Sequence, residues 1–214
     1  MVVEKVVAVL IGYVLGLFET GYIFGKLKNV DIRQHGSGNA GSTNALRVFG
    51  LKGGLITFAG DLSKSLLSVL LVWLIFKNAY PEQVGLLMMY GGLGAIIGHN
   101  FPFYLGFNGG KGIACTAGFV LANFPVVAPI AFAAFIIIVL LTKYVSLGSL
   151  IAVSLVFIQF VLFTSVGWIE MHPDYLMESY AIMIIILGLA FFRHRSNIVK
   201  LLKGTENKIG VKKK

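Results

Sequence analysis

Residues 126–142 read VVAPIAFAAFIIIVLLT, an apolar run that contains no charged residue. A run of this kind is typical of a membrane-spanning helix, which needs roughly 20 mostly apolar residues. Six further apolar runs lie at 6–25, 53–76, 84–106, 112–124, 146–167 and 179–192. The run 112–124 is short, and the proline that follows it ends a helix. The sequence therefore predicts an all-α, polytopic membrane helix bundle of about seven transmembrane helices, with six or five as alternatives.

The overall composition also indicates a membrane protein. Hydrophobic residues make up 57% of the chain and charged residues only 13%, with a mean hydropathy of +0.86, whereas soluble domains carry about 25% charged residues. The net charge of +9 would suggest nucleic acid in a soluble protein. Cytoplasmic loops of membrane proteins are rich in lysine and arginine, however, so we expect no nucleic-acid partner. We interpret residues 1–214 as one integral membrane domain whose first span is retained.

The placement of charge predicts the orientation of the chain. With the N-terminus outside and seven alternating spans, every lysine and arginine except Lys5, Lys64 and Lys77 falls on an inside segment, including the short basic tail 193–214. This asymmetry favours an outer N-terminus and a cytoplasmic C-terminus. The cytoplasmic face then carries the polar stretches and the start of the sixth span, which are 29–50, 107–112, 193–210 and 144–149. Polar chemistry on one face indicates an enzyme at the membrane surface.

Two ionisable residues, Asp61 and Lys64, interrupt the second predicted span. At positions i and i+3 they share a helix face and can pair. Ionisable residues inside a membrane are costly and are candidates for function. The sequence leaves three interpretations open: a functional pair, a structural ion pair, or a Lys64 side chain that extends to the membrane surface.

The first polar stretch, 35–47, reads HGSGNAGSTNALR. It contains G-x-G-x-x-G, but the dinucleotide fingerprint needs a preceding strand, and here a membrane helix precedes it. Its glycines allow close approach of the backbone to a ligand, and consecutive N–H groups can bind an anion. A glycine-rich turn is the alternative. The hydroxyl, amide and guanidinium groups that could bind a phosphorylated polyol are Ser37, Asn39, Thr43, Asn44 and Arg47.

The second polar stretch joins Gly98-His99 to the glycine loop, Gly109-Gly110-Lys111-Gly112. It is not a nucleotide P-loop, because it lacks the first glycine and the final serine or threonine of that motif. Glycines around a lysine at the start of an apolar helix still predict an anion site. His99 is either a hydrogen-bonded structural group or a catalytic base.

The third polar stretch begins at Arg193-His194 and includes Asn197. Basic residues after a last span are ordinary membrane anchors, but His194 and Asn197 share a helix face, which indicates more than anchoring. No histidine is followed by aspartate five residues later, so the H-x-x-x-x-D dyad of the common glycerolipid acyltransferases is missing. No cluster has metal-ligand spacing, and we expect neither a metal nor a cofactor.

Together the three stretches resemble, in order and spacing, the three cytoplasmic motifs of the bacterial acyl-phosphate-dependent glycerol-3-phosphate acyltransferases, the PlsY family. Small departures lie at Ser42, at Cys115 and at Glu19-Thr20, none of them a phosphate-handling position. The resemblance implies transfer of a fatty acyl group from acyl phosphate to the 1-hydroxyl of glycerol 3-phosphate, at the cytoplasmic face of the bacterial cell membrane. Lysophosphatidic acid and phosphate would be the products.

The resemblance also implies roles for single residues. Ser37, Asn44, Arg47, Lys111, Ser149, His194 and Asn197 would hold glycerol phosphate, and residues 109–112 would cradle the acyl phosphate, with its chain among the helices. Direct attack by the glycerol hydroxyl is the expected mechanism. The alternative is a covalent acyl-enzyme on Ser37 with His99 or His194 as base. A phosphate- or organophosphate-binding membrane transporter is the competing function.

Overall fold

The computed structural model describes residues 1–210 as an all-helical bundle. Residues 211–214 of the predicted basic tail lie outside the described part. The α-helices, in chain order, are α1 (Val2–Gly16), α2 (Thr20–Lys26), α3 (Ser42–Phe76), α4 (Val84–Asn100), α5 (Ile113–Asn123), α6 (Ala128–Thr142), α7 (Val145–Ser165), α8 (Pro173–Arg193) and α9 (Arg195–Leu202). Short 3-10 turns lie at Ile32–Gln34, Phe103–Leu105 and Pro125–Val127.

Six segments of the described chain are long and apolar enough to cross a membrane, and α5 is a seventh, shorter apolar helix. The 11 residues of α5 extend about 16 Å at 1.5 Å per residue, roughly half of a hydrocarbon core of about 30 Å. The predicted helical membrane bundle is thus confirmed, with the fourth run short as the sequence indicated. The orientation of the termini stays a prediction.

Small residues let α1 and α4 pack closely. A Cβ on Gly12 of α1 would overlap the backbone of Gly91, and a Cβ on Gly94 or Gly98 of α4 would overlap the backbone of α1. Lipid supplies no hydrophobic drive between helices, so close backbone approach of this kind is what holds them together. This packing fixes the end of α4, and with it the start of the second polar stretch.

Helix α3 begins outside its apolar part and has a break at Gly50. Gly50 has φ +71° and ψ −169°, in the region that favours glycine because it carries no Cβ. The break separates the polar first two turns of α3 from the long apolar run that follows. The first predicted polar stretch therefore ends in helix, which sets its side chains at helical spacing.

Candidate active site

A cavity of about 680 Å³ lies at the end of the bundle where α3, α5 and α7 begin and where α4 and α8 end. All three polar stretches line it, as the sequence predicted from their common face. The predicted site residues on its wall are Ser37, Asn39, Thr43, Asn44, Arg47, His99, Gly109, Lys111, Gly112, Ser149, His194 and Asn197. Gly110 is buried behind this wall.

Asn44 orders the first loop of the site. Its side chain is 1% exposed, and its Oδ1 accepts from the backbone N–H of Ser37 at 2.8 Å. Its Nδ2 donates to the carbonyls of His35 and Asn39 at 3.0 and 2.9 Å. These bonds fix the loop so that Ser37 is exposed to the cavity. The predicted contact of Asn44 with substrate stays a prediction.

Asn39 joins the first loop to the second. Its Oδ1 accepts from the N–H of Gly41 at 3.0 Å, and its Nδ2 donates to the carbonyl of Gly109 at 3.4 Å. Thr43 and Arg47 follow on α3 at positions i and i+4, on one face of the helix. The Arg47 side chain is exposed and lies on the cavity wall, where a guanidinium can bind phosphate.

Two N–H groups of the glycine loop are hydrogen-bonded to backbone carbonyls of the protein. Gly110 donates to the carbonyl of His99 at 3.0 Å, and Gly109 donates to that of Asn100 at 3.3 Å. In the described residues the N–H groups of Lys111, Gly112 and Ile113 have no protein acceptor. Since Ile113 begins α5, these three N–H groups lie at a helix N-terminus, where an anion binds favourably.

Arg193 supports the glycine loop from α8. Its Nε donates to the carbonyl of Gly110 at 3.0 Å, and its Nη2 donates to that of Gly109 at 2.8 Å. The guanidinium also lies over the ring of Phe101, 5.2 Å from the centroid. The sequence placed Arg193 at the start of the third polar stretch but gave it no role beyond that of a membrane anchor. Bonds from a side chain to a distant backbone leave no pattern in sequence, so this role could not be seen.

Lys111 is a half-buried cation on the cavity wall. Its Nζ donates to Oδ1 of Asn197 at 2.6 Å, and Nδ2 of Asn197 donates to Oε1 of Glu206 at 2.8 Å. Burial is the main cause that lowers the pKa of Lys111 to about 8, and the charge of Arg47 acts in the same direction while Glu206 opposes it. Lys111 therefore stays mostly protonated at neutral pH.

His194 is held as a hydrogen-bond acceptor. The ring is 2% exposed, and its Nδ1 lies 2.8 Å from the carbonyl oxygen of Ala190. A carbonyl only accepts, so Nδ1 carries the hydrogen. Burial, together with the charges of Lys111 and Arg193, lowers the pKa of His194 to about 4. At neutral pH the ring is uncharged, and Nε2 can accept a proton or a hydroxyl hydrogen.

Two serines of α7 complete the wall. Ser149 is buried, and its hydroxyl donates to the carbonyl of Val145 at 2.9 Å. Ser146 is also buried, and its hydroxyl has no hydrogen-bond partner among residues 1–210. The sequence placed the segment 144–149 on the site face but singled out only Ser149. Three residues apart on a helix, the two serines share a face, which is the signal that could have identified Ser146.

A second, apolar cavity of about 80 Å³ continues from the polar one between α5, α6 and α7. The two cavities share Phe58, Ile113, Phe135 and Ser149. Ala128, Ala131 and Val156 line its far part. A molecule with a phosphate at one end and a hydrocarbon chain at the other can therefore occupy both.

Asp61 and Lys64 do pair, with Lys64 Nζ 3.1 Å from Oδ1 of Asp61. The predicted candidate His99 joins them: its Nδ1 lies 2.9 Å from Lys64 Nζ and 3.0 Å from Oε1 of Glu19. All four side chains are 0–5% exposed. Glu19, in the break between α1 and α2, is the member that the sequence did not identify as part of a site.

Comparison with known proteins identifies relatives over almost the whole chain. The family model described as glycerol-3-phosphate acyltransferase matches residues 6–204. The glycerol-3-phosphate acyltransferase of Alkaliphilus metalliredigens is 41% identical over 209 residues, which cover 97% of each chain. The enzyme of the same name from Shouchella clausii is 39% identical over 215 residues and 99% of each chain.

Solved structures agree with the sequence relatives. The crystal structure of PlsY, an integral membrane glycerol 3-phosphate acyltransferase, in its glycerol 3-phosphate form superposes with a TM-score of 0.81 at 34% identity, over 96% of each chain. The lysophosphatidic acid form of the same enzyme gives a TM-score of 0.79 at 34% identity, covering 96% of this chain and 95% of that one.

Proposed function

The chain belongs to the glycerol-3-phosphate acyltransferase family, and from this premise we propose that acyl phosphate is the donor with which it acylates glycerol 3-phosphate. The acylation of glycerol 3-phosphate in phospholipid synthesis is the activity of the family to which the chain belongs. The proposal adds the donor, the 1-hydroxyl as acceptor, and the residues that carry the reaction. Lysophosphatidic acid and inorganic phosphate are the products.

The observation that carries the proposal is the shared wall between a basic polar cavity and an apolar one. Both substrates carry a phosphate group, and Arg47 and Lys111 supply positive charge in the polar cavity. The phosphate of the donor binds the free N–H groups at the start of α5 and the ammonium of Lys111. Its first chain carbons enter the apolar cavity. At about 80 Å³ this cavity is far smaller than a typical ligand pocket of about 300–1,000 Å³, so the rest of the chain lies in lipid.

The acceptor binds between the first loop and the third stretch. We assign its phosphate to Arg47, Thr43 and Asn197, and its hydroxyls to Ser37 and Asn39. The neutral His194 accepts the hydrogen of the attacking hydroxyl, which orients the oxygen toward the donor carbonyl. Ser149 and the ordering bonds of Asn44 fix the surrounding wall.

The transfer is a single displacement at the donor carbonyl carbon. The glycerol oxygen forms the new ester bond, the bond from that carbon to the phosphate oxygen breaks, and the hydroxyl proton passes by way of Nε2 of His194 to the departing phosphate. Lys111 and the N–H groups of the loop stabilise the charge that develops on this phosphate. Within residues 1–210 the Ser37 hydroxyl makes no hydrogen bond to a histidine, which favours direct attack over an acyl-enzyme.

The donor is tested with purified protein in detergent, labelled glycerol 3-phosphate, and either palmitoyl phosphate or palmitoyl-CoA. We expect lysophosphatidic acid from palmitoyl phosphate alone, and its loss in Lys111→Ala. Lys77→Ala is the matched control, because Lys77 lies over Trp73 at the other end of α3. Product from the thioester alone would refute the donor, and no product from either would refute the assigned activity.

We also propose that the site faces the cytoplasm of a bacterial cell. The protein is a multi-pass membrane protein, and its basic residues lie mostly on the segments around the site. In a Cys115→Ala background, a membrane-impermeant thiol reagent applied to intact cells should label Gln83→Cys and spare Ser196→Cys. Labelling in the opposite pattern would reverse the orientation.

A further inference from the structure

Four ionisable side chains meet below the glycine loop, and we call Glu19, Asp61, Lys64 and His99 the buried ionic cluster. Lys64 Nζ donates to the carbonyl of Phe18 at 2.8 Å and lies 3.1 Å from Oδ1 of Asp61. Oε1 of Glu19 lies 3.0 Å from Nδ1 of His99. The cluster thus ties the break between α1 and α2 to the middle of α3 and the end of α4.

None of these groups has a part in the transfer described above, yet placing them inside the bundle is expensive. Taking charges out of water costs several kcal/mol for each ion, and apolar residues of the same volume often give a more stable protein. Ionisable residues within membrane helices are therefore first considered for function. The other three members of the cluster all lie within 4 Å of Nδ1 of His99. The contacts that His99 makes outside the cluster therefore indicate what the cluster supports.

His99 contacts Gly110 twice. Its carbonyl accepts the N–H of Gly110 at 3.0 Å, and its ring lies so close that a Cβ on Gly110 would overlap Nε2 and Cε1. On the other side, Arg193 Nε donates to the carbonyl of Gly110 at 3.0 Å. Gly110 is therefore held between the His99 ring and Arg193, immediately before the N–H groups that face the anion.

We propose that Glu19 and Lys64 are positioning residues that hold the His99 ring, and that His99 sets the position of Gly110 and of the N–H groups that bind the donor phosphate. The inference rests on the proposed function, because it concerns the donor side of that same site. His99 is then a positioning residue, with one ring nitrogen committed to the cluster and the opposite edge of the ring packed on the loop.

Three substitutions test the two edges of the His99 ring, the one that faces Glu19 and the one that faces Gly110. His99→Asn keeps a nitrogen near Nδ1 and removes the edge against Gly110, whereas His99→Gln keeps a nitrogen near Nε2 and removes the bond to Glu19. Glu19→Gln removes the charge that faces Nδ1 and changes little else in shape. Each should raise KM for palmitoyl phosphate about 10- to 100-fold, the scale of a misplaced binding group, with KM for glycerol 3-phosphate changed less than twofold.

Glu178→Gln is the matched control. Glu178 binds Lys5 at the end of the bundle away from the site, and both of its KM values should equal those of the unchanged protein. KM does not depend on the fraction of protein that is folded, so a variant that lowers the melting temperature still reports on the loop.

Two outcomes would overturn the inference while the unchanged protein remains active with palmitoyl phosphate. A lower melting temperature with both KM values unchanged would make the cluster only structural. A fall in kcat with an unchanged donor KM and an altered pH profile would make His99 a base. An unchanged protein that is inactive with palmitoyl phosphate would instead refute the proposed donor.

Discussion

Lys111 and Asn197 lie 86 positions apart in the chain, and Lys111 Nζ donates to Oδ1 of Asn197 at 2.6 Å. This bond links the start of α5 to helix α9 on the cavity wall. It also places the ammonium beside the third polar stretch, so one cation can serve both substrates. Most of the chemistry proposed for this chain depends on that ammonium carrying its proton.

The pH dependence of the reaction should therefore have an upper limit set by Lys111. The pKa of Lys111 is lowered to about 8 in the free protein, so kcat/KM should fall as the pH rises through that value and the ammonium is lost. Arginine keeps its proton throughout this range. In Lys111→Arg the fall near pH 8 should be absent, even if the rate at neutral pH is lower. The measurement is kcat/KM between pH 6 and pH 10 for the unchanged protein and for Lys111→Arg, with the same substrates. An identical fall in the two proteins would show that a group other than Lys111 sets the upper pH limit.

Removal of the acceptor at position 194 should slow the chemical step. In His194→Ala we expect kcat to fall about 100-fold, the lower end of the range for lost acid–base groups, because nothing then orients the attacking hydroxyl. Initial rates at saturating concentrations of both substrates measure this. His172→Ala, on the exposed start of α8, is the control and should keep its rate. Equal rates for the two variants would remove His194 from the mechanism.

The buried ionic cluster should make an asymmetric contribution to stability. Lys64→Met leaves Asp61 and Glu19 without their cation, and breaking a buried pair in this way costs about 3–5 kcal/mol. The double variant Asp61→Asn/Lys64→Met should recover part of that loss. Thermal unfolding in detergent measures both.

Lys5→Met provides the comparison for this stability test. Lys5 pairs with Glu178 in a partly exposed setting, and loss of such a pair should cost less than loss of Lys64. If Lys64→Met and Lys5→Met lower the melting temperature equally, burial of the cluster does not increase the stability that is lost when a paired lysine is removed.

The apolar cavity should control preference for the acyl chain. Ala131 is buried and lines this cavity, so Ala131→Phe should fill it and raise KM for palmitoyl phosphate more than KM for octanoyl phosphate. Ala133 lies on the exposed face of the same helix, and Ala133→Phe should change neither constant. An equal effect of both substitutions would indicate that the chain binds elsewhere.

The elements that the sequence predicted are those that depend on local pattern. Uncharged runs identified the helices, and the spacing of Asp61 and Lys64 allowed the pair that the structure contains, one of three interpretations that the sequence left open. The anion site around Lys111 stays a prediction. The missed roles depend on contacts across the bundle. Arg193 binds backbone carbonyls and Glu19 faces the His99 ring, and neither bond leaves a periodic signal. Asn44 has the chemistry of a ligand, but its amide bonds order the loop, a choice that sequence leaves open.

The wall shared by the two cavities also governs what counts as substrate concentration. On the proposed assignment the chain of the donor lies beside Phe58 and Phe135, so we expect the donor to reach the site by diffusing within the hydrocarbon phase. The rate then depends on the number of donor molecules per detergent or lipid molecule, which is a mole ratio within that phase. Adding micelles at a fixed total amount of donor should therefore lower the rate, because each micelle then holds less donor. The dependence of the rate on glycerol 3-phosphate should still follow its molar concentration in water.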